Sequence, residues 1–256
     1  MREILVVGIG SGNPEHMTIQ AINALNRADV LFIPTKGQAK AELADVRREI
    51  IARFVTNPNS RIVEYAVPVR KSADRSYTTS VDDWHAAITR IYVELFTSKL
   101  GDTGIGAFLV WGDPMLYDST IRIIERVRAS GEVDFDYSVI PGITSLQALC
   151  ASHRIPLNLV GKPVEITTGR RLAETFPEKN ETAAVMLDGQ QAFADIDDPD
   201  AEIFWGAYLG TSSEIIISGK LNDKKHEILS TRAEARQRNG WIMDIYLLRK
   251  GADFEE

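Results

Sequence analysis

Ile4-Leu-Val-Val-Gly-Ile-Gly-Ser-Gly-Asn-Pro14 is the stretch on which the fold turns. Four apolar residues halted by glycine read as a short buried strand. Gly8, Gly10 and Gly12 then punctuate a turn, and Thr18 is placed to cap a helix whose Ile19, Ile22 and Leu25 share one face. A glycine-rich turn between the first strand and the first helix is where α/β folds bring a ligand close to the backbone. The dinucleotide pattern G-x-G-x-x-G is not met. Its third glycine falls one residue early, at Gly12, and Asp29, the acid at the expected distance, precedes the second strand instead of ending it. No phosphate-cradling G-x-x-x-x-G-K-[ST] occurs. Taken alone, the loop is equally well a tight turn that needs glycine dihedrals.

Outward from that turn the chain alternates. Strands are expected at Val30–Ile33, Arg61–Val67, Gly106–Trp111, Asp136–Ile140, Val164–Thr168, Thr182–Leu187, Ile203–Leu209 and Ile242–Leu248. Helical spacing runs through Leu43, Val46, Ile50 and Phe54, and through Val81, Trp84, Ile88, Ile91 and Leu95. It recurs at Ile121, Ile124 and Val127 behind Ser119 as cap, and at Leu146 and Leu149. Strands alternating with helices predict an α/β protein with mostly parallel sheets. The best boundary lies at residues 112–120, giving an N-terminal domain of 1–115 and a C-terminal domain of 116–256. The run Asp195-Ile-Asp-Asp-Pro-Asp200 reads as a solvated acidic turn.

The 256 residues suffice for one large domain or two modest ones. A net charge of −7 speaks against a nucleic-acid partner. A single cysteine, Cys150, excludes an internal disulfide and suits a cytoplasmic location. The N-terminal apolar run is too short for a signal peptide, and no apolar run approaches membrane-spanning length. The histidines show no metal-ligand spacing, so no metal is expected.

Two further turns resemble the first in placement. Leu109-Val-Trp-Gly-Asp-Pro-Met-Leu-Tyr117 and Ile140-Pro-Gly-Ile-Thr-Ser145 each end a buried strand in small or acidic residues. Ligands of open α/β sheets bind outside the carboxyl ends of the strands, so three such turns suggest one shared crevice.

With Trp205-Gly-Ala-Tyr-Leu-Gly-Thr211, these turns resemble, in order and over nearly the whole chain, the motifs of the corrin/porphyrin methyltransferases. Relatives carry proline where this chain has Ser11, and Pro-Phe where it has Met115-Leu116. The resemblance implies two α/β domains with a cleft for S-adenosylmethionine (SAM) and substrate between them, and a homodimer. Matched by motif, it implies SAM contacts from Ser11, Trp111, Gly112, Asp113, Leu116, Thr144, Ser145, Leu187 and Gly210. Asp113 suits the cationic cofactor; it is also the residue type that forms a turn before proline.

Within the family, Lys36-Gly, Leu43-Ala-Asp-Val-Arg-Arg48 and Gly240-Trp-Ile-Met-Asp-Ile-Tyr-Leu-Leu-Arg249 resemble the member that acts in cobalamin biosynthesis. That enzyme methylates carbon 1 of precorrin-5 and releases acetate, giving precorrin-6A. Action at another precorrin position, or a non-catalytic SAM- or tetrapyrrole-binding role, is the alternative. Methyl transfer from a sulfonium needs positioning above all. Release of the acetyl group needs a base that activates water, and Asp113 and Asp45, then His85, are the candidates. A polycarboxylate substrate calls for guanidinium groups that grip carboxylates two-pronged. Arg47 and Arg48 are the expected pair, ahead of Arg70-Lys71 with Arg75 and Arg170-Arg171. Cys150 is expected to be a packing residue.

Overall fold

The computed structural model of the chain describes residues 1–35, 41–69, 77–174 and 182–250, without the side chains of residues 41–43, 77–80 and 173–174. The expected features at Lys36, Arg70, Lys71 and Arg75, and the side chain of Leu43, lie outside the described residues. Packing divides the chain into Met1–Ile143 and Thr144–Glu256.

The first unit carries β1 (Arg2–Gly8), α1 (Ile19–Arg27), β2 (Val30–Thr35), α2 (Ala41–Phe54), β3 (Arg61–Ala66), α3 (Tyr77–Lys99), β4 (Ile105–Val110), α4 (Thr120–Ser130) and β5 (Phe135–Ile140). Its sheet is wholly parallel, in the order β3-β2-β4-β1-β5. Both faces of its central strands β1, β2 and β4 are covered, so these read as continuous apolar runs and not as alternations, while the edge strands β3 and β5 are largely exposed. Leu5, Val7, Leu31 and Leu109 pack with α1 and α2 on one face; Ile4, Val6, Phe32 and Phe108 pack with α3 and α4 on the other. The boundary expected at 115/116 falls instead at 143/144. β5 supplies an edge of the first sheet by pairing with β1, from Arg2↔Phe135 to Val7↔Ile140, and this keeps α4 and β5 in the first unit.

The second unit carries α5 (Ser145–His153), β6 (Val164–Thr168), α6 (Gly169–Glu174), β7 (Thr182–Met186), β8 (Ala201–Ala207), β9 (Ile215–Lys220), α7 (Leu221–Asn239) and β10 (Asp244–Lys250). Its sheet runs β6-β7-β10-β8-β9, and here the expectation of a mostly parallel sheet is corrected. Only β6 and β7 pair in parallel; β10 is antiparallel to both its neighbours, and β8 to β9. The connection from β8 to β9 is too short to hold the crossover that parallel neighbours require. β9 and α7 were not expected from the sequence. Among the described residues no helix is long and apolar enough to cross a membrane.

Candidate functional site

In the first unit the three turns meet. β1 leads into α1 on one face of the sheet and its neighbour β4 leads into α4 on the other. The space beyond their carboxyl ends is therefore the topological switch point where α/β sheets bind ligands. The turns are joined there through backbone. Gly10 N donates to Gly112 O at 3.2 Å, and Gly112 N donates to Gly10 O at 2.8 Å. Both glycines have left-handed dihedrals, φ 80° and 68°. The third turn is equally close: a Cβ on Gly8 would lie 2.6 Å from Gly142 N and 2.9 Å from Gly112 O. Glycine at these positions is a condition of the approach, not a preference.

The side chains around this knot brace it. Asp113 is buried, with Oδ1 accepting from Met115 N and Oδ2 from Gly142 N, each at 2.8 Å. One carboxylate thus ties the turn after β4 to the turn after β5. Ser11 is also buried, and its Oγ lies 3.3 Å from His16 Nδ1. A polar contact thereby links the first loop to the short turn that follows it. Trp111 and Leu116 are half-buried in the turn after β4, and Met115 is exposed. Thr18 caps α1 as expected, accepting from Ala21 N at 3.0 Å. Ser119 does not cap α4. Asp118 Oδ1 accepts from Thr120 N at 2.6 Å, and Ser119 Oγ is 3.2 Å from His85 Nε2.

Arg47 and Arg48 part company. Arg47 is buried, and its Nε donates to Leu109 O at 2.9 Å, at the carboxyl end of β4. Burial lowers its pKa, opposed by the nearby Tyr65, Asp118 and Tyr92. Arg48 points outward, bound at 2.6 Å to Asp45 and at 2.6 Å to Glu64. Asp45 is therefore an exposed ion-pair partner, its side chain 65% accessible, and not a carboxylate lodged among the turns.

Beside Arg47 lies a cavity of about 220 Å³ at the carboxyl ends of β2, β3 and β4. Tyr65, Tyr92 and Asp118 line it with Arg47. The two tyrosine hydroxyls are 3.3 Å apart. Burial pushes Tyr65 up to about 12 and Tyr92 well above its ordinary value. Sequence reasoning missed these three residues. The only signal was Asp118 directly behind the second turn motif; the tyrosines carry no local pattern.

In the second unit Thr144 caps α5 in a reciprocal box. Its Oγ1 accepts from Gln147 N at 3.4 Å, and its N–H donates to Gln147 Oε1 at 2.7 Å. Ser145 opens that helix. Leu187, directly after β7, is exposed and has φ 54°, a left-handed conformation that is strained for leucine. Gly210 has φ 81°, and its N–H donates to Glu214 Oε2 at 2.6 Å. Arg170 and Arg171 are exposed on α6. Cys150 is half-buried on α5, and burial raises its thiol pKa, as suits a packing residue. Sequence reasoning also missed a buried network. Tyr246 donates to Asp188 at 2.6 Å, and Arg232 Nε and Trp205 Nε1 both donate to Asp244 Oδ2, at 2.8 and 3.0 Å.

Known proteins share this arrangement. The profile of the Tetrapyrrole (Corrin/Porphyrin) Methylases matches residues 3–225. The chain is 72% identical over 256 residues to the Precorrin-6A synthase [deacetylating] of a Sinorhizobium species, covering 100% of this chain and 98% of that one. The crystal structure of a putative cobalamin synthesis related protein from Corynebacterium diphtheriae superposes with a TM-score of 0.85 at 38% identity, covering 98% and 99% of the two chains. The fold extends to a uroporphyrin-III C-methyl transferase from Thermus thermophilus complexed with S-adenosyl homocysteine, with a TM-score of 0.56 at 16% identity over 98% and 97% of the chains. Joined glycine turns at the switch point of a parallel sheet, and a profile that spans most of the sequence, place this chain among the tetrapyrrole (corrin/porphyrin) methylases.

Proposed function

We propose that this protein is a SAM-dependent C-methyltransferase of cobalamin biosynthesis that methylates carbon 1 of precorrin-5 and releases acetate, giving precorrin-6A. The full-length 72% identity to a deacetylating precorrin-6A synthase carries the reading. The second turn and its partners in the first unit support the cofactor. Gly10 and Gly112 bring the backbones of the first and second turns together at the carboxyl ends of β1 and β4, the place where an adenosine that seeks main-chain donors and acceptors would bind. Ser11, Trp111, Gly112, Asp113 and Leu116 would hold SAM from this unit; Thr144, Ser145, Leu187 and Gly210 belong to the same reading. SAM supplies an electrophilic methyl group on a neutral leaving group.

The residues of the chain position and exclude water. Asp113 fixes two turns through its two oxygens and keeps further lone pairs for a donor. In the deacetylation, water oxygen bonds to the acetyl carbonyl carbon, the carbon–carbon bond to the ring breaks with its electron pair staying in the ring's conjugated system, and of the water's two protons one stays on the acetic acid and the other passes to the base. Arg47, buried at the carboxyl end of β4, is where this reading puts a substrate carboxylate, and Arg48 lies on the outer side of α2 with Asp45 and Glu64. A cytoplasmic homodimer, which sedimentation would measure, completes the proposal on the strength of the family resemblance.

Incubation with methyl-labelled SAM and precorrin-5 tests the function. The expected products are S-adenosylhomocysteine, acetate, and a macrocycle that gained the label and lost the acetyl group in its mass spectrum. Binding of both ligands with no product would overturn the reading in favour of a non-catalytic binding protein.

A further inference from the structure

Ser119 stands at the N-cap of α4 but leaves the cap to Asp118, whose Oδ1 takes the N–H of Thr120. A serine in that position ordinarily spends its oxygen on the helix. Here the hydroxyl turns instead to α3, where it lies 3.2 Å from Nε2 of the buried His85. Ser119 also lines the cavity at the carboxyl ends of β2, β3 and β4. At about 220 Å³ this cavity is below the roughly 300–1,000 Å³ of pockets that take drug-sized ligands. A macrocycle does not fit inside; an acetyl group with a water does. The wall that holds Ser119 continues the second turn, which meets the first at Gly112.

Release of an acetyl group needs a proton acceptor within reach of the attacking water. Arg47 carries only N–H donors, and burial keeps the phenols of Tyr65 and Tyr92 protonated at neutral pH. Asp118 is engaged as the cap of α4. His85 differs from all of these. Burial holds its pKa below the ordinary 6.5, Arg126 and Arg122 act in the same sense, and Asp82 opposes them. The imidazole is therefore neutral at neutral pH. With its own proton on Nδ1, its Nε2 accepts from the Ser119 hydroxyl. A hydroxyl backed by an imidazole within hydrogen-bond reach is an arrangement that passes a proton. The two phenols, which share the cavity, are O–H donors for a carbonyl oxygen on which negative charge builds as water adds.

We propose that Ser119 and His85 activate the water of the deacetylation, with the acetyl arm of the substrate in this cavity. The inference deepens the proposed function and rests on it. Water oxygen bonds to the acetyl carbonyl carbon and gives one proton to Ser119 Oγ, while Ser119 passes its own proton to His85 Nε2. The carbon–carbon bond to the ring breaks with its pair staying in the conjugated system. The second water proton remains on acetic acid, and His85 returns the first to solvent.

The test uses the full-length protein with methyl-labelled SAM and precorrin-5, with acetate and methylated macrocycle measured in a single turnover. Acetate release is expected to slow about 10²- to 10⁴-fold in His85→Gln and about tenfold or more in Ser119→Ala. Binding of SAM and precorrin-5 is expected to match the parent in both. The parent rate is expected to fall as pH drops through the pKa of His85, below 6.5, and this limb to vanish in His85→Gln. Added imidazole is expected to restore part of the release in His85→Ala. Ser119→Ala removes no cap bond, and so carries the test even where the His85 variants lose their fold. Acetate released at the parent rate by Ser119→Ala or by folded His85→Gln would overturn the proposal. So would a loss of release confined to Asp118→Asn, which would make Asp118 the base. A parent that yields neither acetate nor methylated product overturns the enzyme reading and the proposal together. An active parent with unaffected variants overturns the proposal alone.

Discussion

Both oxygens of Asp113 are occupied by backbone N–H groups, and this decides what the residue does most. Asp113→Asn replaces one acceptor oxygen by an amino group that faces a donor. The expected loss is about 1–3 kcal/mol of stability, read by urea denaturation, together with weaker SAM binding. A variant of unchanged stability that lost acetate release alone would make Asp113 the base instead of the brace. The turns themselves were legible because glycine dihedrals and close approach are local demands written in local residue types. Arg47 and Arg48 were legible only as a pair. Neighbours on a helix point about 100° apart, and nothing in Asp45-Val-Arg-Arg48 says which arginine turns toward β4. Ser11 illustrates a third case: its contact with His16 joins residues five apart, and nothing in the residue types announces that the two side chains meet.

At the level of elements, the first sheet was the readable one. Its central strands β1, β2 and β4 are buried on both faces, so each announces itself as an apolar run. The second sheet mixes directions, and strand direction is set by partners distant in sequence, such as Tyr246 with Trp205 and Val185. α7 escaped notice because its surface is polar nearly all round; it buries Leu221, Ile228 and Ala235 but also Arg232. Arg232 does the holding. Its ion pair with Asp244 is nearly sheltered from solvent, at 7% and 9% side-chain exposure, and Trp205 shares the same carboxylate. Arg232→Ala leaves Asp244 charged and deprived of its cation, and about 3–5 kcal/mol of stability is expected to go with it. The midpoint of urea unfolding measures this; an unchanged midpoint would make the pair incidental to how α7 is held.

For the whole molecule, the wrong boundary at 115/116 has the same origin as the unread strand directions. β5 belongs with β1, and a pairing across more than a hundred residues leaves no mark at residue 115. The pH response also belongs to this scale. Burial lowers the pKa of His85 and of His153 below the ordinary 6.5. The unfolded chain therefore takes up protons before the native one as pH falls through about 6.5, and stability declines with acidification. Urea midpoints measured at about pH 7.5 and 5.5 are expected to fall, with a smaller difference in His85→Asn; a midpoint that rose on acidification would contradict the sign. The parallel order β3-β2-β4-β1-β5 bears on biosynthesis as well. β1 leaves the ribosome long before either of its neighbours: Ile4 pairs with Gly106 and with Tyr137. At about 5–20 residues per second of translation, this apolar strand waits roughly 5–20 seconds before its first partner is made. Nascent-chain survival, more than the stability of the finished enzyme, is then what chaperone supply governs when this protein is overproduced.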